Sequence, residues 1–248
     1  MVRETATSVH RFDSAGTPLH AVIAGEGRPL VVLHGGLADH HASLHLALPL
    51  TAAGFRLVLP DLRGSGRSVY AGALSWDLLA DDLGALLRSL GLERASIVGV
   101  SSGSGVAVRF ALRHPEHVAK LGIVSPVYAG AEIGLRPEQR AAFDHMNTFG
   151  QQTLVDGIQA LHPLFQNLPD EIRTQARAIA DTFDPASVAH TTAFLASGEQ
   201  PFQSLAELKG IRAETILVPA DDALHPAAVS SAYAETLPHC RIAPLSEL

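Results

Sequence analysis

The chain has 248 residues, 47% of them hydrophobic, and a formal charge of −7 from 18 basic and 25 acidic side chains. That is enough apolar material for one enzyme-sized core, and an acidic chain with no lysine or arginine run and few aromatics excludes a nucleic-acid surface. The N-terminal MVRETATSVHRFDSAGTPLH has no apolar signal core and no apolar run is long enough to span a bilayer, so a cytoplasmic protein without membrane contact is expected. Cys240 is the only cysteine, which leaves no disulfide and no thiolate metal site within one chain.

Short β-branched runs alternate with longer segments of helical period, the pattern of a mostly parallel sheet flanked by helices, an α/β fold. In chain order the predicted strands are HAVIAG (20–25), PLVVLH (29–34), FRLVLP (55–60), ASIVGV (95–100), KLGIVS (120–125), ETILVP (214–219) and CRIAPL (240–245). DHHASLH (39–45) reads as a loop entering a helix. Neighbouring histidines point apart, and the thirteen histidines are read as forming no HxxxH or HExxH pair on a helix, so no metal site is expected. SWDLLADDLGALLRSLG is a helix capped by Ser75 and closed by Gly91, and GSGVAVRFALRHP is a second that stops at Pro115. Between Ser125 and Glu214 only helical pieces follow. The division expected is a core of residues 1–126 and 214–248 with a helical lid at 127–213, over the ends of the strands where such folds bind ligands.

Three serines crowd the junction of strand 95–100 with the next helix. Gly99-Val100-Ser101-Ser102-Gly103 fits G-x-S-x-G at a strand-to-helix turn, with Ser101 at the apex. A nucleophile held there occupies strained backbone, the flanking glycines avoid collision with strand and helix, and the helix N-terminus favours developing negative charge. Ser102 and Ser104 put the glycines out of frame and read as small packing residues.

At this point the chain resembles the α/β-hydrolase superfamily, from about residue 8 onward. VVLHGG (31–36) is similar to its oxyanion segment, LPDLRGSGRS (59–68) to its D-x-R-G-x-G-x-S loop, and HPEHVAKLGIVSP to the stretch after the nucleophile helix. The resemblance implies an oxyanion hole from the backbone N–H groups of Gly36 and Ser102, with Gly35 beside the substrate and His34 either lining the site or stabilising its loop. Asp61 and Arg63 are expected to pin their loop. It also implies a triad carboxylate in ADDALHP, where Asp222 matches best and Asp221 is the rival, one serving the base and the other a turn or helix cap.

The family order of serine, acid and histidine places the base after the last strand, yet the sequence given reaches Leu248 without one. Three readings stand: a chain cut short, a base already present, for which His225 is best placed, or a fold kept for binding a small ligand without hydrolysis. His239 precedes the last strand and is expected at the opposite end. Loss of a closing helix would leave an apolar sheet face that a homodimer could cover. Serine at 101, in place of aspartate, argues for acyl chemistry on an ester, thioester, lactone or ketone-adjacent carbon–carbon bond. Apolar lid residues, Phe143 and Met146 among them, imply a small to medium hydrophobic substrate. No metal or organic cofactor is implied.

Overall fold

The computed structural model describes residues 6–243. The outer ends of the expected core, and the last two positions of the 240–245 strand, lie outside the described residues. One eight-stranded sheet runs in the order β1-β2-β4-β3-β5-β6-β7-β8. Its strands are β1 (Thr7–Ser14), β2 (Thr17–Ala24), β3 (Arg28–Leu33), β4 (Phe55–Pro60), β5 (Ala95–Val100), β6 (Val118–Val124), β7 (Glu214–Val218) and β8 (Cys240–Ile242). From β4 to β8 every neighbouring pair is parallel, whereas β1–β2 and β2–β4 are antiparallel.

The first strand, unforeseen in the sequence, forms a hairpin whose two-residue turn holds Ala15 and Gly16 at φ 51° and 76°, the mirror-image geometry that suits strand twist. Only Phe12 and Ser14 of β1 are buried, so an edge strand of mostly polar residues gives little periodic signal.

The carboxyl halves of β3 and β4 are buried on both faces. Val31 and Leu33 of β3 join the larger cluster beneath α2 (Trp76–Ser89) and α3 (Ser102–Arg113), while Leu30 and Val32 join a second cluster beneath α1 (His40–Ala47). Helix α2 starts as expected, with the Ser75 side chain accepting from the Leu78 N–H at 3.1 Å. Residues 125–213 add no strand. They form α4 (Pro137–Asp156), α5 (Asp170–Ala180) and α6 (Pro185–Ala196), with 3-10 segments between, and α7 (Ala227–Thr236) returns the chain to β8. This insertion has its own apolar centre around Ile158, Leu161, Phe183 and Val188. No helix among the described residues is long and apolar enough to cross a membrane.

The DHHASLH run is a helix from its second residue, capped by Asp39, so His41 and His45 do stand four apart on α1. The polar side chains had hidden the helical period. His40 is turned inward to Asp61, which follows β4. One Asp61 oxygen accepts from His40 Nδ1 and N–H at 2.7 and 2.9 Å, the other from His20 Nδ1 and Arg67 N–H, both at 2.9 Å. These donor atoms cluster as metal ligands would, yet the carboxylate already accepts four hydrogen bonds, which suits a structural anchor. Burial pushes its pKa up, but the bonds from His40 and Arg67 outweigh it and hold the carboxyl at about 2. Arg63 is buried beside it, paired with Asp82 at 2.6 and 2.8 Å and reaching Ser14 O and Thr17 Oγ1 in the hairpin.

Because the folded pKa of Asp61 lies below the unfolded value of about 3.9, its contribution is complete above about pH 4 and disappears as pH falls toward 2. Urea unfolding from pH 7 down to pH 2.5 is expected to show the loss of about 2 kcal/mol from this group. Asp61→Asn turns an amide NH₂ toward N–H donors and is expected to cost about 2–4 kcal/mol at pH 7 in the same measurement.

Candidate active site

Strand β5 ends at Val100, and Ser101 makes the turn into α3 with φ 53° and ψ −120°. A non-glycine residue in that region is strained. The backbone around it is held on both sides: Ser101 N–H donates to Val124 O at 2.9 Å, and Ser101 O accepts from the N–H and Oγ of Ser104 at 2.8 and 2.6 Å. Ser104 is thus a turn-fixing residue as well as a small one. A Cβ on Gly99 would stand 2.2 Å from Gly103 O, and one on Gly103 would stand 2.5 Å from His34 O. Only glycine lets the helix start this close to β3 and β5.

Ser101 Oγ lies 2.8 Å from His225 Nε2. His225 Nδ1 is 3.0 Å from both oxygens of Asp222, three residues earlier in the same loop. The carboxylate also accepts from the backbone N–H groups of Leu224 and His225 at 2.8 and 2.9 Å, which tightens the loop into an Asx turn. Burial pushes the Asp222 pKa up, but the His225 side-chain and backbone bonds more than offset it, so the carboxyl lies below its ordinary value. Its side chain is 57% exposed whereas that of His225 is 13% exposed. Asp221 instead accepts from Ala227 N–H at the start of α7. His239 lies at the opposite end of the sheet, its carbonyl bonded to Thr215 N–H where β7 begins.

A cavity of about 170 Å³ opens at Ser101 and His225. Gly36 and Ser102 line its floor; a Cβ on Gly36 would meet Leu195 at 2.8 Å. Phe143 and Met146 line it from α4, on the same helix face as Gln139 and Arg140, and Trp76, Tyr128 and Leu195 close other sides. Of the other apolar insertion residues, Leu161 and Phe183 pack in the insertion's own centre, with Phe149 and Phe165 against it, and Phe194 packs tilted against Trp76.

Two expected substrate contacts do not line this cavity. His34 is 1% exposed and turned into the protein: its Nδ1 donates to Gly35 O at 2.7 Å and its Nε2 accepts from Leu62 N–H at 3.0 Å. Burial lowers its pKa, consistent with a neutral ring that accepts at Nε2. Gly35 lies behind Ser101, where an added Cβ would stand 3.3 Å from the serine Cβ. Both residues therefore support the turn. Tyr128, Gln139 and Leu195 were missed as wall residues because only the seating of the insertion brings them to the serine; Trp76, missed as well, sits on the core helix α2 and carries a local signal, a large aromatic at the first position of a helix.

A parallel sheet with a strained serine turn, and a histidine and carboxylate delivered by a later loop, defines a protein of hydrolase type. Residues 28–241 match the family model described as alpha/beta hydrolase fold, and the chain belongs to that family. It is 35% identical over 156 residues, 59% of this chain and 53% of the relative, to 2-hydroxy-6-oxononadienedioate/2-hydroxy-6-oxononatrienedioate hydrolase 2 of Pseudomonas putida. Its matches span from 34% to 53% of the length of such curated relatives. By structure it resembles an esterase from Exiguobacterium antarcticum, with TM-score 0.80 and 19% identity over 96% of this chain and 90% of that one. It also resembles an enol-lactonase from Burkholderia xenovorans, with TM-score 0.77 and 18% identity over 95% and 91%. These two likenesses are of fold.

The glycine clearances make a sharp expectation. Gly99→Ala and Gly103→Ala each force backbone apart and are expected to destabilise by at least about 3 kcal/mol, whereas Gly91→Ala, with open space but a φ of 64°, carries only left-handed strain of about 1–2 kcal/mol. Thermal unfolding of the three variants measures the difference.

Proposed function

We propose that the chain is a serine hydrolase that cleaves an ester, lactone or related acyl bond of a small to medium hydrophobic substrate through an acyl-enzyme. The observation that carries this reading is the 2.8 Å contact of Ser101 Oγ with His225 Nε2, with Asp222 gripping the other ring nitrogen. With Nδ1–H donated to the carboxylate, Nε2 is the basic nitrogen and faces the hydroxyl. As Ser101 Oγ bonds to the acyl carbon, its proton passes to His225 Nε2 and the carbonyl electron pair moves to oxygen. The N–H groups of Gly36 and Ser102 are the donors proposed for that oxyanion, each worth roughly 10²- to 10³-fold in rate. The tetrahedral adduct collapses, the leaving oxygen takes the proton from His225, and water repeats the sequence to free the acid.

In this reading residues 127–213 act as a lid over the core, and the cavity sets the acyl group. Its volume of about 170 Å³ suits one small ring or a short chain, since a cavity of roughly 150 Å³ takes up a benzene-sized guest. The exposure of Asp222 makes its role chiefly orientation of the imidazole, because solvent screens much of its charge.

A fluorophosphonate probe is expected to add once to the wild-type chain and not to Ser101→Ala, read by intact mass. Turnover of a 4-nitrophenyl ester that persisted in Ser101→Ala would sink the assignment. His225→Ala is expected to lower kcat by at least about 10⁴-fold, and Asp222→Asn by less because its site is wet. Shortening Phe143 to Ala should shift the preferred acyl chain toward longer esters, measured as kcat/KM across a C2 to C8 series of roughly spaced lengths.

A further inference from the structure

The acid and the base share one loop, and the internal bonds of that loop fix its shape but not its place. A hydrogen bond from Asp222 N–H to His225 O at 3.2 Å and the Asx turn would survive if the whole loop swung away from Ser101. Its ends are held by β7 and by α7, where Ala220 N–H reaches Ser230 Oγ at 3.3 Å. Apart from the Ser101–His225 contact itself, the remaining polar ties among the described residues come from the start of α4 in the insertion. Gln139 Nε2 donates to the carbonyl of Leu224, the residue before His225, at 3.1 Å, and the Arg136 guanidinium reaches Asp222 O at 3.4 Å.

Gln139 is 3% exposed. Its amide orientation is dictated by its partners: Oε1 faces the Arg136 N–H, which can only donate, at 3.1 Å, and Nε2 faces a carbonyl, which can only accept. One carboxamide therefore ties the start of α4 to the loop that carries His225. The same helix face presents Phe143 and Met146 to the cavity. We propose that Gln139 is a positioning residue that seats the Asp222–His225 loop against Ser101, so that the reacting geometry is complete only when α4 is docked. This rests on the serine-hydrolase reading above. Displacing α4 would remove both its polar ties from the loop at once and leave the imidazole free to drift from the hydroxyl; a shift of about 1 Å suffices to cost up to 10²-fold in rate.

Two variants separate this from a purely helix-capping role. Gln139→Glu, assayed up to about pH 9.5 because burial raises a carboxyl's pKa, keeps an acceptor for Arg136 N–H and once ionised offers no donor to Leu224 O; Gln139→Met keeps bulk and loses both bonds. Both are expected to lower kcat for a 4-nitrophenyl ester roughly 10- to 100-fold with KM held within about two-fold. Fluorophosphonate labelling of Ser101 should slow in parallel, in chains whose thermal unfolding shows them folded. Wild-type kcat in folded Gln139→Glu overturns the proposal, whether or not Gln139→Met is impaired, because only the cap would then matter. A changed KM with unchanged kcat also overturns it, leaving Gln139 a cavity wall. Failure of the serine reading has a different signature: ester turnover and probe labelling that survive in Ser101→Ala.

Discussion

The close approach of α3 to β3 and β5 is the constraint on which the rest of the site depends. Gly99 and Gly103 let helix and strands meet with no Cβ between them, and that contact forces Ser101 into left-handed backbone at the apex. A strained residue of this kind costs of the order of 1–3 kcal/mol and persists only where its surroundings over-determine it. Here they do: β6 holds the Ser101 N–H and Ser104 holds its carbonyl. The serine therefore emerges at the carboxyl end of the sheet, the edge toward which the β7–α7 loop and the first turn of α4 also reach.

Two aspartates show how differently the fold treats a carboxylate. Asp61 is 1% exposed and takes four hydrogen bonds from three separate parts of the chain, tying β2, α1 and the loop after β4 into one knot. All its lone pairs are engaged, so it has nothing to offer a substrate. The Asp222 carboxylate stands mostly in water and, among the described residues, takes bonds only from its own loop. Burial and saturation mark the scaffold, while exposure and a single imidazole partner mark the group available for chemistry.

Strands β4 and β5 were legible in the sequence to the residue, as was the Ser75 cap, because short β-branched runs and capping side chains act locally. So was the strand-turn-helix setting of Ser101, since a glycine on each side of a serine is itself a steric statement. Strand β1 was not, because it is an edge strand with two buried residues, and α1 was hidden by its histidines, of which only His40 turns inward, to Asp61. His34 illustrates the harder limit. Its place in the VVLHGG run left substrate contact and loop support both open, and a bond to Leu62, 28 residues away, turns it inward to support the loop. Of the cavity walls, Phe143 and Met146 stood out as apolar residues of the insertion, whereas Gln139, Tyr128 and Leu195 were unreadable because they meet only after the insertion docks.

The 3-residue spacing of Asp222 and His225 has a consequence for the entropy of assembling the site. In a chain that brings serine, acid and base from three distant segments, two long loops must close before the constellation exists. Here the carboxylate–imidazole pair closes a loop of almost no length, and a single long-range closure, across the 124 residues from Ser101 to His225, completes the set. Because closure entropy rises only as the logarithm of loop length, the saving lies less in distance than in number: one independent tertiary event takes the place of two, and the carboxylate and imidazole arrive at the serine as a unit.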